Sequence, residues 1–424
     1  MLIGEYAETI HPQYHLEGMN MEHIDEQYKE ILDGFTESVI DREALLGKLK
    51  SGKKLRIKLG FDPTSPDIHL GHAVVLRKMR QFQDLGHTAV FIIGDYTARI
   101  GDPSGKSKTR PELSVGDIES NMNTYFKQVG KILNTVVAIE IHRNSEWFGN
   151  MKLDEFIKIA SNFSTQRIMD REDFKARIKK GDEVAYHETF YQVMQAYDSV
   201  VISADVELGG RDQLLNLLAG RELQKKMGKL EQDIMTMPIL VGLDGKEKMS
   251  KSLGNYVGLA EGAQAMIGKI MSIPDDAIPE YFKLTLFKSD KEVKKISDRL
   301  KKENPRDIKL ELAESVTARY WGEAEAKERK ENFISMFSKK NIEKIDIPSL
   351  EVGREVLESE AQGASFVFGY GLAKSMSEAR RLINEGAFEV DGTTIKNPKE
   401  KLHLVVGSVI RLGKKILLRI VEKK

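Results

Sequence analysis

KLRIKLGFDPTSPDIHLGHAVVLRKMRQFQDLGHTAVFII, residues 54–93, decides the architecture. Lys54–Gly60 alternates as a strand does. Asp62-Pro63 and Ser65-Pro66 then force a loop. From about Leu70 the apolar positions Val74, Val75, Leu76, Met79, Phe82 and Leu85 form a helical stripe, and Gly86 stops it. Thr88–Ile93 is a continuous apolar run, as expected of a strand buried on both faces. Strand, helix and strand in about 40 residues predict a right-handed βαβ unit.

Working outward, Val136–His142 and Val200–Val206 read as further strands, and Ile239–Gly242 is a candidate for another. Helical patterns lie between them, so residues 46–260 are expected to form an α/β domain around a parallel sheet. Residues 1–45 read as a polar helical extension, with a helix at Asp41–Lys50. Residues 261–345 read as amphipathic helices crowded with Lys and Glu, bounded by Pro274, Pro279 and Pro305. A low-signal stretch, 346–360, reads as a linker. Residues 361–424 read as a small α+β unit with turns at Asp391-Gly392 and Leu412-Gly413.

Composition limits the function classes. A chain of 424 residues predicts two to four domains, and 41% hydrophobic against 31% charged residues is enough for a sizeable core. No stretch approaches the ~18 uninterrupted apolar residues of a membrane span. The first residues lack a basic region followed by an apolar block, so no secretory signal is expected. There is no cysteine, which excludes disulfides, thiolate zinc sites, iron–sulfur clusters and cysteine nucleophiles. That fits a reducing compartment, and a cytoplasmic location is expected. The net charge is zero. From Ala361 onward, however, twelve Lys+Arg stand against six Asp+Glu. A basic tail on a mildly acidic body suits a polyanionic partner; a solvated, charge-rich tail is the alternative.

Two segments carry the chemistry. In FDPTSPDIHLGH, His69 and His72 stand three residues apart where a strand passes into a helix, the place where a parallel sheet binds ligands and a helix N-terminus favours phosphate. Gly71 between them lets a ligand lie against the backbone. Two ordinary helix-start histidines, or a metal pair, are the alternatives. In DGKEKMSKSLGN, Lys248, Lys251 and Ser252 lie in a loop flanked by Gly245 and Gly254, suited to closing over a triphosphate. A third segment, Gly101-Asp-Pro-Ser-Gly105-Lys106-Ser107, is no P-loop, because one residue is missing between its glycines and Pro111 follows.

HLGH and KMSKS, in this order and about 180 residues apart, resemble the two signatures of the class I aminoacyl-tRNA synthetases. That resemblance implies a Rossmann-like catalytic domain, ATP with Mg²⁺ bound to it as substrate and no protein-bound metal, and an aminoacyl-adenylate. It also implies roles for Thr64, Lys106 and Arg110 beside the phosphates. Tyr191, Gln195 and Asp198, in YQVMQAYD, share one helix face. The pattern Y-x-x-x-Q-x-x-D resembles the amino-acid-binding helix of the tyrosyl-tRNA synthetase family. By that resemblance Asp198 accepts from the substrate phenol, and Tyr191, Gln195 and Asp102 bind its ammonium group. Gly210, Asp212 and Gln213 in LGGRDQ contact ribose and the aminoacyl group, and Leu240 contacts adenine. A carboxylate aimed at a hydroxyl rejects the analogue lacking it, a rule drawn from this very family. Two positions depart from the family pattern. Lys58 stands where many members carry a pocket tyrosine, and Arg211 replaces a small residue.

The tail, GLAKSMSEARRLINEGAFEVDG, resembles an S4-type RNA-binding domain of the bacterial enzymes. Lys374, Ser375, Arg380 and Arg381 are its candidate RNA contacts. The resemblance further implies tRNA(Tyr) and tyrosine as partners, no membrane, and a homodimer. The tryptophan-specific ligase and a non-catalytic, synthetase-like RNA-binding protein are the competing readings.

Overall fold

The computed structural model describes residues 21–64, 66–103, 114–136, 138–336, 348–358, 361–413 and 416–423. Its contacts divide it into two units, residues 1–323 and 324–424. In the first unit a sheet is built from β1 (Ser38–Ile40), β2 (Arg56–Phe61), β3 (Thr88–Ile93), β4 (Ile139–Arg143), β5 (Val206–Gly210) and β6 (Asp233–Met237). The spatial order is β1-β6-β5-β2-β3-β4. From β6 to β4 all pairs are parallel. β2, β3 and β4 run in one direction across the sheet, and β5 and β6 fill the other side of β2. This is a doubly wound, Rossmann-like order with its switch point between β2 and β5.

The decisive stretch folds as its pattern predicts. Every residue of β3 is buried, and the helix Leu70–Asp84 buries Val74, Leu76, Met79 and Phe82. Gly86 ends that turn at φ 85°, a left-handed backbone that glycine adopts without strain. The helix Arg42–Lys50 starts at Asp41, whose side chain accepts from the Ala44 N–H.

Two expectations need correction. Val200 belongs to the helix Glu188–Val201, and the strand begins only at Val206. Val193, Ala196 and Val200 form a helical stripe in one buried cluster, so the run Val200–Ile202 ends a helix face. Ser203, with φ 49°, breaks the chain before the strand. Ile239–Gly242 is no strand; Val241 makes only an isolated bridge to Lys248. The strand lies just before it, as β6, whose DIMTM sequence carries polar residues into a fully buried position. The strands within 46–260 are parallel, as expected; β1, which precedes that range, adds an antiparallel edge to β6. Three residues are too short for a periodicity reading to find.

The helices from Ala263–Met271 to Pro305–Trp321 pack within the first unit. The second unit holds a sheet of β7 (Ser349–Val352), β8 (Phe388–Val390), β9 (Thr393–Ile395), β10 (Val409–Leu412) and β11 (Ile416–Glu422), in the order β7-β11-β10-β8-β9. β7, from the stretch read as a linker, runs parallel to β11. The turn at Asp391-Gly392 has positive φ at both residues, the geometry that joins β8 to β9. Phe366, Val367, Ile383, Phe388, Ile410 and Ile420 lie in this unit's own core.

Candidate active site

The carboxyl ends of β2 and β5 open into a cleft of about 930 Å³, where the strand order reverses and such sheets bind ligands. It is lined by Thr64, His69, Gly71, His72, Asp102, Tyr191, Gln195, Asp198, Gly210, Asp212, Gln213, Leu240, Lys248, Lys251 and Ser252. All these residues, scattered over some 190 positions of sequence, meet in one place. Lys106 and Arg110 lie outside the described residues.

Backbone pairing brings the two signatures together. The Leu70 N–H donates to the Val257 carbonyl at 3.0 Å, and the Leu259 N–H donates to that of Ile68 at 2.8 Å. The chain leaving the KMSKS loop is thereby stitched to the chain entering the HLGH helix. At that helix start the His69 and His72 rings stack, with centroids 3.7 Å apart. The His69 backbone N–H donates to His72 Nδ1, which puts the His72 proton on Nε2. Burial lowers the His69 pKa to about 3, and Lys251 and Lys248 add to the effect. Burial, the neighbouring His69 and the same two lysines hold His72 well below its ordinary range. Both rings are neutral donors at physiological pH. A Cβ at Gly71 would stand 3.1 Å from the His69 ring.

Within the KMSKS loop, Asn255 is the brace. Its Nδ2 donates to Asp244 Oδ2 at 2.5 Å, and its Oδ1 accepts from the Ser250 N–H at 2.8 Å. Lys248 Nζ pairs with Asp212 Oδ2 at 2.8 Å. Lys251 Nζ reaches the Tyr125 hydroxyl at 3.3 Å.

The helix Glu188–Val201 forms the opposite part of the lining. The Tyr191 hydroxyl donates to Asp62 Oδ2 at 2.9 Å, and Thr97 Oγ1 donates to Asp62 Oδ1 at 2.8 Å. Gly94 makes that arrangement fit, because a Cβ there would lie 2.1 Å from Asp62 Oδ1. Gln195 Oε1 is buried without a hydrogen-bond partner. Asp198 is 4% exposed and accepts from Trp147 Nε1 at 2.9 Å. Burial pushes its pKa up to about 7, against the pull of Lys58, Trp147 and Asn144. On the other side, Gln213 Nε2 donates to Asp102 Oδ2 at 2.8 Å. The arrangement therefore offers an acidic pocket for a cation and a hydroxyl, beside a cationic loop and two neutral donors for an anion.

The two departures have structural accounts. Lys58 does not line the cleft; its ammonium is fully buried against Glu207 at 2.7 Å. Arg211 turns outward and pairs with Glu37 at 3.0 Å, 70% exposed, so its bulk does not fill the site. Sequence reasoning missed Asp62, Thr97, Tyr125, Asn144 and Trp147. Asp62 and Asn144 each stand one residue beyond the end of a strand, β2 and β4, and that position was the available signal.

In the second unit, Lys374, Ser375, Arg380 and Arg381 are exposed at the start and along the helix Met376–Asn384. The Ser375 hydroxyl accepts from the Glu378 N–H and so caps the helix. Arg381 pairs with Glu385 at 2.9 Å.

The fold and the paired signatures define a class I aminoacyl-tRNA synthetase. Residues 50–338 match the family model of class I tRNA synthetases (W and Y), and residues 365–410 match the S4 domain. Tyrosine–tRNA ligases of Thermotoga maritima and Francisella tularensis are 43% and 44% identical to the chain. Each alignment covers 93% of the chain, and 97% and 98% of the respective relative. A C-terminally truncated Aspergillus nidulans mitochondrial tyrosyl-tRNA synthetase shares the fold, with TM-score 0.59 and 22% identity over 76% of this chain and 96% of that one. This chain belongs to the tyrosyl-tRNA synthetase family.

Proposed function

We propose that the chain is a tyrosine–tRNA ligase. It activates tyrosine with ATP to tyrosyl-adenylate and pyrophosphate, then transfers tyrosine to the 3′ end of tRNA(Tyr). The observation that carries this reading is the buried Asp198 in the same cleft as both phosphate-directed signatures. An ionised Asp198 only accepts, so it pairs with a substrate hydroxyl, and phenylalanine deprives the buried carboxylate of that partner.

In the first step the tyrosine carboxylate attacks the α-phosphate in line. It is already ionised, so no general base is required, and catalysis rests on positioning and charge stabilisation. Tyr191, Gln195 and Asp102 hold the ammonium group, with the unpartnered Gln195 Oε1 as an acceptor. Gln213 orients Asp102 and faces the aminoacyl group. Gly210 and Asp212 take the ribose, Leu240 the adenine, and Gly71 leaves room for the nucleotide. Thr64, His69, His72, Lys106, Arg110, Lys248, Lys251 and Ser252 stabilise the departing pyrophosphate. Magnesium arrives with the nucleotide. Asp212 binds Lys248 in the ligand-free protein, so ribose binding releases that lysine toward the phosphates. In the second step a terminal ribose hydroxyl of the tRNA attacks the tyrosyl carbonyl carbon of the adenylate; the ester forms, the bond to phosphate breaks, AMP leaves, and the hydroxyl proton is lost to the released phosphate or to water.

The S4 unit, through Lys374, Ser375, Arg380 and Arg381, contacts the tRNA. The protein acts as a homodimer in the cytoplasm, where translation consumes the product. Supporting the dimer, β4 is an edge strand, and Ile141 on it and Leu153 and Ile157 on the helix Leu153–Ala160 are exposed. No described helix is long and apolar enough to cross a membrane.

ATP–pyrophosphate exchange with each of the twenty amino acids tests the reading. Exchange with tyrosine is expected. Exchange with tryptophan instead supports the rival ligase, and none at all supports the non-catalytic reading.

A further inference from the structure

Lys58 is a lysine in the middle of a parallel sheet, 0% exposed, yet every proton of its ammonium has a partner. Nζ donates to the Gln195 carbonyl at 2.9 Å and to Ser199 Oγ at 2.7 Å, and it pairs with Glu207 Oε1 at 2.7 Å. Glu207 is as deeply placed, 1% exposed, directly across from Lys58 on β5. Its Oε2 accepts from Ser199 Oγ at 3.1 Å and from Gln232 Nε2. Its Oε1 also receives a long contact, 3.5 Å, from Gln195 Nε2. The neighbouring helix Leu214–Lys226 leaves space for this network at Gly220, where a Cβ would come within 2.8 Å of Gln232, 3.0 Å of Ser199 and 3.1 Å of Glu207.

Two of these contacts bear on the cleft. The Gln195 carbonyl and Ser199 belong to the same turn as Asp198, on the helix that lines it. The Gln195 amide has its nitrogen toward Glu207, which leaves Oε1, the acceptor end, without a partner in the protein. A buried ion pair is a poor source of stability relative to apolar packing, because desolvation offsets most of its attraction. Its presence at this spot calls for a role that packing alone does not supply.

We infer that Lys58, paired with Glu207, is a positioning residue for amino-acid selection: the pair clamps the Gln195–Ser199 turn to the sheet, and so fixes the amide and the carboxylate that read the substrate. This deepens the tyrosine reading and rests on it. The pair also acts on charge. Lys58 on β2 favours ionised Asp198, and Glu207 on β5 opposes it. Trp147 and Asn144, from the segment after β4, are neutral and bond the carboxylate. Tyr191 and the carboxylates Asp62 and Asp102 line the same cleft.

The two partners make opposite predictions. Tyrosine binding needs ionised Asp198, so kcat/KM for tyrosine falls on the acid side of the Asp198 pKa. K58M removes the supporting cation, and the acid limb moves up by about one pH unit or more. E207Q removes the opposing carboxylate, and the limb moves down. The double variant K58M/E207Q leaves no unpaired charge in the core. It stays folded, its limb lies between those of the single variants, and its KM for tyrosine is raised about tenfold with KM for ATP unchanged. Pyrophosphate exchange from pH 6 to 9, with thermal melts of each variant, reads all of this. The inference is overturned if K58M and E207Q only lower Tm while the acid limb stays put, or if KM for ATP and tyrosine rise together in the double variant. Absence of tyrosine exchange in the wild-type protein would instead defeat the functional reading, which the same experiment tests first.

Discussion

Trp147 Nε1 donates to Asp198 Oδ1 at 2.9 Å, from a short helix just past the end of β4 to the long helix before β5. An indole N–H can only donate, so this bond favours the ionised carboxylate and occupies one of its oxygens. Trp147→Phe removes a bond made to the charged form, and the Asp198 pKa then rises from about 7. The acid limb of kcat/KM for tyrosine moves to higher pH, and activity at neutral pH drops by about 10- to 100-fold, as for loss of a hydrogen bond to a charged group. Activity recovers in part at pH 9. An unshifted limb in a pH series of pyrophosphate exchange would remove Trp147 from this role.

His72 is expected to act as a neutral donor, since burial holds its pKa well below the ordinary value. His72→Ala lowers the adenylation rate by about 10²–10³, or 2.7–4 kcal/mol, with little change in KM for tyrosine. His72→Asn keeps an N–H in the region and retains more activity than the alanine variant. Single-turnover adenylate formation distinguishes the two. Lost tyrosine affinity at an unchanged rate would contradict the assignment.

The C-terminal sheet includes β7, which pairs with β11, so a cut at 360 strands one of its own strands. A truncation after Glu323 follows the division between the two units. It is expected to spare pyrophosphate exchange with tyrosine and to abolish or strongly reduce tRNA charging. Equal loss of both activities would count against a separate RNA-binding unit. Reversing Arg380 and Arg381 to Glu in the full chain should weaken charging in the same direction, most at low salt, with a shallower salt dependence than the wild type.

Leu153 and Ile157, on the helix Leu153–Ala160, are 73% and 57% exposed. Ile157→Glu puts a charge on that face without touching a core cluster. The wild type is expected to sediment as a dimer and the variant as a monomer with tRNA charging reduced. A wild-type monomer at micromolar concentration would dispose of the dimer.

Much of the fold was legible because it rests on local periodicity. The βαβ unit at 54–93 has a long apolar stripe, a fully apolar strand and a glycine where the helix must end, and each signal agrees with the next. β1 and β6 were not legible, one being too short and the other carrying polar residues into a buried position. Val200–Ile202 misled because a helical stripe and a strand look alike over three apolar residues. In the site, the histidines, the lysine loop and the Tyr191–Asp198 face were recognisable because each is a compact pattern. Asp62 and Trp147 were not, since each is a single residue whose partner lies 129 or 51 positions away.

The amino-acid sequence alone determined the class of fold, the two anion-directed segments and the acidic helix face, because spacing within one element carries that information. Only the tertiary structure decided that Lys58 faces Glu207 inside the sheet rather than the cleft, that Arg211 points outward, and that both histidines are neutral. Those outcomes depend on which strands become neighbours and on how much water is excluded between them.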